Sequence, residues 1–253
     1  MLGWFAYLWF TPIPAPYQYQ LISEGDSKKF PQMDLDAWPD LKLSQYKVQA
    51  EGIDKPIAEL IVAQQGDGPR VLTYWKNSTN EILYNLDRKP SELSALAAVI
   101  GKHAPKDALI LSWWDTSRQI KLLTGHDTLF TSHLNEPLMV PVAWLEQSKA
   151  IMAYENQFWE SSANSKEQEQ FKRFSQALAA SAEEGVAQLR ELIGSNREAY
   201  LIVHVTDLYK LGLMYPDKIG VAYQNFPLTG NMHGMINHMK VQLKENDFNT
   251  YTL

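Results

Sequence analysis

The chain opens on ten residues without a charge, Met1-Leu-Gly-Trp-Phe-Ala-Tyr-Leu-Trp-Phe10, followed by Thr11-Pro-Ile-Pro-Ala-Pro16. As a helix, ten residues rise about 15 Å, half of a bilayer's hydrocarbon core. No basic stretch precedes them and no small-residue cleavage site follows, so they are not a complete signal peptide. Residues 1–16 read as the remnant of an N-terminal membrane anchor. Trp4, Tyr7 and Trp9 suit an interfacial aromatic belt, and Pro12, Pro14 and Pro16 a stiff extended exit. The alternative is a hydrophobic segment packed on the domain. No other stretch approaches about 18 uncharged apolar residues, so residues 17–253 read as a single domain.

Residues 17–44 alternate weakly and predict a leading strand plus irregular structure. Residues 46–51, 58–63 and 71–75 predict strands, separated by turn signals at Gly52–Pro56 and Gly66-Asp-Gly-Pro69. Together they predict an antiparallel β-meander over 45–85. At Pro90 the period changes. Leu93, Leu96, Ala97 and Ile100 share one face of a helix that closes near Gly101–Pro105. The run Ala108-Leu-Ile-Leu-Ser-Trp-Trp114 predicts a strand buried on both faces, with a short helix over 116–124 ended by Gly125. A short strand over 128–131 and helices over 142–159 and 165–193 follow. A second fully buried strand is expected over 199–205, a helix over 232–246 and a strand over 248–253. Strand–helix–strand alternation over 90–253 predicts an α/β fold, a mostly parallel sheet flanked by helices.

Composition acts mainly by exclusion. At 45% hydrophobic and 21% charged the chain is ordinarily globular. Lys and Arg number 23 against 29 Asp and Glu, a net charge of −6. No basic excess is available for a phosphate backbone, and no nucleic-acid partner is expected. The chain has no cysteine. That removes disulfides, thiolate catalysis, Cys-ligated zinc, iron–sulfur clusters and covalently attached haem; no cofactor is expected.

In an open parallel sheet, ligands sit beyond the carboxyl ends of the strands. Three segments deliver polar or aromatic groups there: Trp113-Trp114-Asp115-Thr116-Ser117-Arg118, Ser132-His133-Leu134-Asn135-Glu136, and His204, Thr206, Asp207 and Lys210. The candidate ligand-binding residues are Trp113, Trp114, Asp115, Arg118, His133, Glu136, His204 and Asp207. No catalytic or metal-binding residue is assigned. Asp115 also reads as the N-cap of the 116–124 helix. Trp113 and Trp114, if both in a strand, face opposite sides, one towards the core and one towards a pocket. Arg118 beside an acid suits a bidentate anion clamp, and His126, His133 and His204 read first as satisfied histidines and only second as metal ligands or proton carriers. Met232-His-Gly-Met-Ile-Asn-His-Met239 pairs thioether with imidazole, as copper sites do. On a helix, however, 232, 235 and 239 form an ordinary core stripe, and His233 and His238 stand about 140° apart. No G-x-G-x-x-G, P-loop or G-x-S-x-G pattern is present.

The stretches Leu109–Arg118, Leu122-Leu-Thr-Gly125 and Thr128–Pro137 carry a resemblance to the HaoB family, the hydroxylamine oxidation accessory proteins of ammonia- and methane-oxidising bacteria. Supporting stretches are Gly101–Asp107, Glu198–Asp207 and Phe226–Gly234, and the likeness covers roughly residues 30–253. It implies an accessory protein of hydroxylamine oxidation and a partner in the multihaem hydroxylamine oxidoreductase. It further implies an N-terminal anchor and a domain on the periplasmic side of the membrane. It carries no catalytic residue over. A fainter likeness links Ser112-Trp-Trp-Asp115 to the Trp-Trp-Asp-Tyr-Gly motif of oligosaccharyltransferase catalytic subunits. Thr116 and Ser117 stand where that motif has Tyr and Gly, so it implies a related α/β domain rather than glycosyl transfer. From the residues alone, a small-ligand binder or an enzyme around Asp115 is the alternative to an accessory role.

Overall fold

A computed structural model describes residues 14–78, 89–161, 164–194 and 197–220, with Gly234 and Asn237. Residues 1–219 form one compact unit and 220–253 a second. Most of the anchor reading (1–13), the predicted elements at 232–246 and 248–253, and the proposed copper ligands at 232–239 lie outside the described residues.

The β-meander is present and longer than predicted. Strands β1 (Tyr17–Gly25), β2 (Leu41–Ala50), β3 (Ala58–Gln65) and β4 (Val71–Asn77) pair antiparallel in that order. Between β1 and β2, two 3-10 turns place Phe30, Met33 and Leu35 in the core. The middle of β3, Leu60-Ile-Val-Ala63, is buried on both faces. Ile61 and Ala63 pack with Leu93, Ala97 and Leu123, whereas Leu60 and Val62 pack with Trp159. Antiparallel sheets usually leave one face to water; this one is covered by helices on both sides. Its central strand therefore reads as a continuous apolar run.

Helix α1 (Glu92–His103) leads into β5 (Leu109–Leu111), α2 (Trp114–Thr124) and β6 (Asp127–Thr128). After a 3-10 turn (Val142–Gln147) come α3 (Ser148–Phe158), α4 (Ser165–Leu178), α5 (Ala182–Ile193), β7 (Ala199–Leu201) and α6 (Val205–Met214). The second sheet has three short strands, ordered β6-β5-β7, and both pairings are parallel. The strands formed by the two apolar runs, β5 and β7, are neighbours. The expectation of a mostly parallel sheet is corrected, because the larger, four-stranded sheet is antiparallel.

Three further corrections have local causes. The 108–114 run leaves strand geometry after Leu111, and Trp113 becomes the residue preceding helix α2. Trp113 and Trp114 therefore do not alternate across a sheet, and both are buried. The 199–205 run is a strand over three residues only. It forms the edge beside β5, with Leu201 46% exposed, so it is not fully buried. His204 and Asp207 start a helix there instead. The single helix expected over 165–193 breaks at 179–181. Ser181 Oγ accepts the Glu184 N–H at 3.4 Å and donates to its carboxylate at 3.1 Å, an N-cap that starts α5 anew.

Candidate functional site

The first turn of α2 is the meeting point of the predicted groups. It begins directly beyond the carboxyl end of the central strand β5, packed against α6 and the 130–136 segment. Asp115 is not the N-cap, which is Trp113. It lies in the first turn, where its carboxylate opposes the positive end of the helix dipole and its Oδ1 accepts the Thr116 N–H at 2.7 Å.

On one side of this turn sits a carboxylate–ammonium cluster. Lys210 of α6 places Nζ 3.1 Å from Asp115 Oδ2, 3.4 Å from Asp207 Oδ1 and 5.1 Å from the centre of the Trp113 ring. Asp207 is 2% exposed. Its other oxygen accepts the His204 N–H at 2.9 Å, closing the capping box of α6. Burial raises the Asp207 carboxyl above its ordinary range, and the Lys210 charge pulls in the opposite direction. His204 completes the cap, Nδ1 accepting the Thr206 N–H at 3.2 Å, while Nε2 stands 3.7 Å from Glu92 Oε2.

On the other side lies a buried cation–imidazole pair. Arg118 is 4% exposed. It donates from Nη2 to the Arg70 carbonyl at 2.6 Å and from Nη1 to His133 Nδ1 at 3.1 Å. Its Nε–H has no hydrogen-bond partner among the described residues. Burial lowers the guanidinium to about 10. The His133 ring stacks on Trp159, 4.8 Å away at 15°, and meets Trp114 edge-on at 4.5 Å. Burial first, then the Arg118 charge, push His133 down to about 3. At neutral pH it is therefore uncharged. Its Nδ1 accepts from Arg118, which puts the ring proton on Nε2.

The eight candidates accordingly do not line one hollow. Trp113, Asp115 and Asp207 meet around Lys210, with His204 capping behind them. Trp114, Arg118 and His133 form the second group. Glu136 offers its backbone carbonyl to Trp114 Nε1. Its side chain lines a groove of about 450 Å³ with Gln168, Glu169, Lys172, Met214 and Tyr215. Partial burial raises its carboxyl. Among the described residues no three His, Asp or Glu side chains are grouped to hold a metal ion.

One buried polar centre escaped the sequence reading. Glu155 of α3 is 6% exposed and accepts from three side chains. Tyr17 and Tyr19 both donate to Oε1, the latter at 2.7 Å, and Trp159 Nε1 donates to Oε2 at 2.8 Å. Burial raises both tyrosines well above their ordinary range, with the Glu155 charge adding to it. The signal was present: Tyr17 and Tyr19 share a strand face, and Glu155 sits four residues before Trp159 on the apolar side of α3. Trp159 joins this centre to His133.

A family model described as "HaoA-associated protein HaoB" matches residues 1–253. The chain belongs to the HaoB family. That membership supports an accessory role in hydroxylamine oxidation, and the family's name associates it with HaoA, the hydroxylamine oxidoreductase. No curated protein and no solved structure matches the chain. In this HaoB chain, most polar groups around α2 are bonded to one another: the α6 cap, the Lys210 ion pairs, the His133 imidazole and the Trp114 indole each meet a protein partner, whereas the buried Trp113 Nε1 and Arg118 Nε have none among the described residues. Such an arrangement fixes the α2–α6 junction and holds a shape.

Proposed function

We propose that this HaoB chain is a non-enzymatic accessory domain that docks on, or assists, the multihaem hydroxylamine oxidoreductase. The whole-chain family match carries this reading. The inward use of the charged groups at α2 supports it, since a docking domain needs a rigid frame rather than a free nucleophile or base. Residues 1–16 tether the domain to the periplasmic side of the inner membrane; their support is the uncharged run Met1–Phe10 and the three prolines after it. The test is co-purification of the tagged chain, solubilised in mild detergent, with hydroxylamine oxidoreductase. The expected result is a stable, salt-sensitive complex. Absence of the oxidoreductase from the eluate across ionic strengths overturns the proposal.

A second reading places a small-ligand site around Asp115. It is favoured by one observation: Asp115, Asp207 and Lys210 meet where β5 and β7 end, the usual ligand position in open parallel sheets. Hydroxylamine, titrated into the protein during thermal melts, then raises the melting temperature of the wild type but not of Asp115→Asn. Identical melts with and without hydroxylamine remove this reading.

A further inference from the structure

We propose that the loop 137–145 is a bilayer-contacting surface, seated in the lipid interface beside the point where the N-terminal segment meets the domain. This rests on the anchor reading of residues 1–16 and deepens it.

The loop reads Pro137-Leu-Met-Val-Pro-Val-Ala-Trp-Leu145, nine residues without a charge between Glu136 and Glu146. An apolar run of that kind is ordinarily folded inwards. Here Val142 is 85% exposed, Leu145 55% and Met139 40%, and the 3-10 turn that carries two of them buries no residue. Scattered singly, exposed apolar side chains are normal; gathered in one short segment they mark a contact.

Position identifies the occupant. The Trp144 ring stacks on Tyr17 at 5.7 Å and 29°, and Tyr17 meets Tyr154 edge-on at 5.7 Å. Tyr17 is the first residue of β1, and the Pro16 carbonyl before it accepts the Glu51 N–H at 3.0 Å. The chain is therefore pinned to the domain at Pro16. Residues 11–16 span at most about 20 Å fully extended. A bilayer that holds residues 1–10 must then lie near the loop.

Chemistry favours lipid over a protein partner. Pro137 and Pro141 carry no N–H, and the Trp144 N–H is already bonded to the Pro141 carbonyl at 2.8 Å. Three of the nine backbone positions therefore present no free N–H to a medium that cannot accept one. The loop itself carries no charged side chain over nine residues, with Glu136 and Glu146 at its two ends. Trp144, stacked on Tyr17 at the base of the loop, is a residue type of the membrane–water boundary.

The absence of cysteine makes a single-site test direct. Val142→Cys in the full chain is labelled with an environment-sensitive fluorophore. It is mixed with vesicles of phosphatidylethanolamine and phosphatidylglycerol, with Asp67→Cys in the β3–β4 turn as the control. The expected result is flotation of both proteins with the vesicles. The label at 142 shifts to the blue and is quenched by lipids carrying a shallow nitroxide, whereas the label at 67 stays unchanged. Val142→Asp with Leu145→Asp weakens partitioning by about a hundredfold. Flotation with an unchanged label at 142 overturns the loop proposal and leaves the anchor reading standing. No flotation at all overturns both. A label at 142 that responds to purified hydroxylamine oxidoreductase and not to vesicles makes the loop a protein-docking surface instead.

Discussion

Arg118 and His133 bear the cost of one act of burial in opposite ways. The guanidinium stays charged because its pKa has room to fall; the imidazole loses its charge because it has none. The consequence for stability has a definite sign. His133 binds a proton at 6.5 when unfolded and only near 3 when folded, so between those values the unfolded chain binds more protons. Its contribution to stability is complete above 6.5 and is lost as the pH falls towards 3, with a slope of at most about 1.4 kcal/mol per pH unit. Asp207 works against this, since a raised carboxyl pKa means that the folded form takes up its proton first on acidification. Comparison with His133→Gln isolates the histidine: urea melts of the variant should show a flatter acid limb than those of the wild type. Proton NMR should show the His133 ring unprotonated throughout pH 5–8, a range within about 1.5 units of the free imidazole value. Arg118→Met should raise the His133 pKa, because the repelling charge is gone. It should also cost about 1–3 kcal/mol through the Arg70 carbonyl left unpaired. Sequence reasoning named both residues from their place after apolar strands. It did not foresee that they bond each other, because Arg118 and His133 lie 15 positions apart and only the packing of the 130–136 segment on α2 joins them.

At the scale of elements, short polar signals decided where helices begin and end, often against the apolar pattern. Gly125 ends α2 at φ 71°, and a Cβ there would meet nothing within 4 Å. Gly125→Ala therefore pays only the backbone cost, about 1 kcal/mol. Gly185 in α5 is different: a Cβ would lie 2.5 Å from the Ala177 carbonyl, so Gly185→Ala must push α5 off the end of α4. Thermal melts should rank Gly185→Ala clearly below Gly125→Ala; equal losses would mean that the contact is soft. The Ser181 N-cap that splits the 165–193 helix is a short polar signal set against the apolar spacing on either side. Glu155 was harder to read, since its three donors arrive from β1 and from its own helix. Glu155→Gln turns a pure acceptor into a group with two donors facing two hydroxyls and an indole N–H. The expected loss is about 2–4 kcal/mol in urea denaturation, and a loss below 1 kcal/mol would show that the pocket rearranges.

For the whole molecule, what matters is how the antiparallel meander and the small parallel sheet become one body. Helix α2 ties them together. Gln119 Nε2 donates to the Leu72 carbonyl at 2.6 Å, Arg118 to Arg70, and Trp38 Nε1 to the Leu123 carbonyl at 2.6 Å. The Lys210 cluster then fixes α6 against the start of the same helix. Lys210→Met leaves two carboxylates facing each other without the cation, at a cost of about 3–5 kcal/mol. That deficit should shrink as the pH falls and the carboxyls take up protons, which paired melts across pH 4–8 would record; a deficit independent of pH would contradict the ion-pair account. The amino-acid sequence alone determined the meander, the apolar runs at 108–114 and 199–205, the helix faces and the HaoB likeness. These follow from local periodicity and turn chemistry, which act over a few residues. Tertiary structure alone decided that the parallel sheet has three short strands, that 199–201 lies at its edge, and that the candidate residues separate into two internally bonded groups. Those outcomes depend on which distant surfaces exclude water together, and no pattern along the chain records that choice.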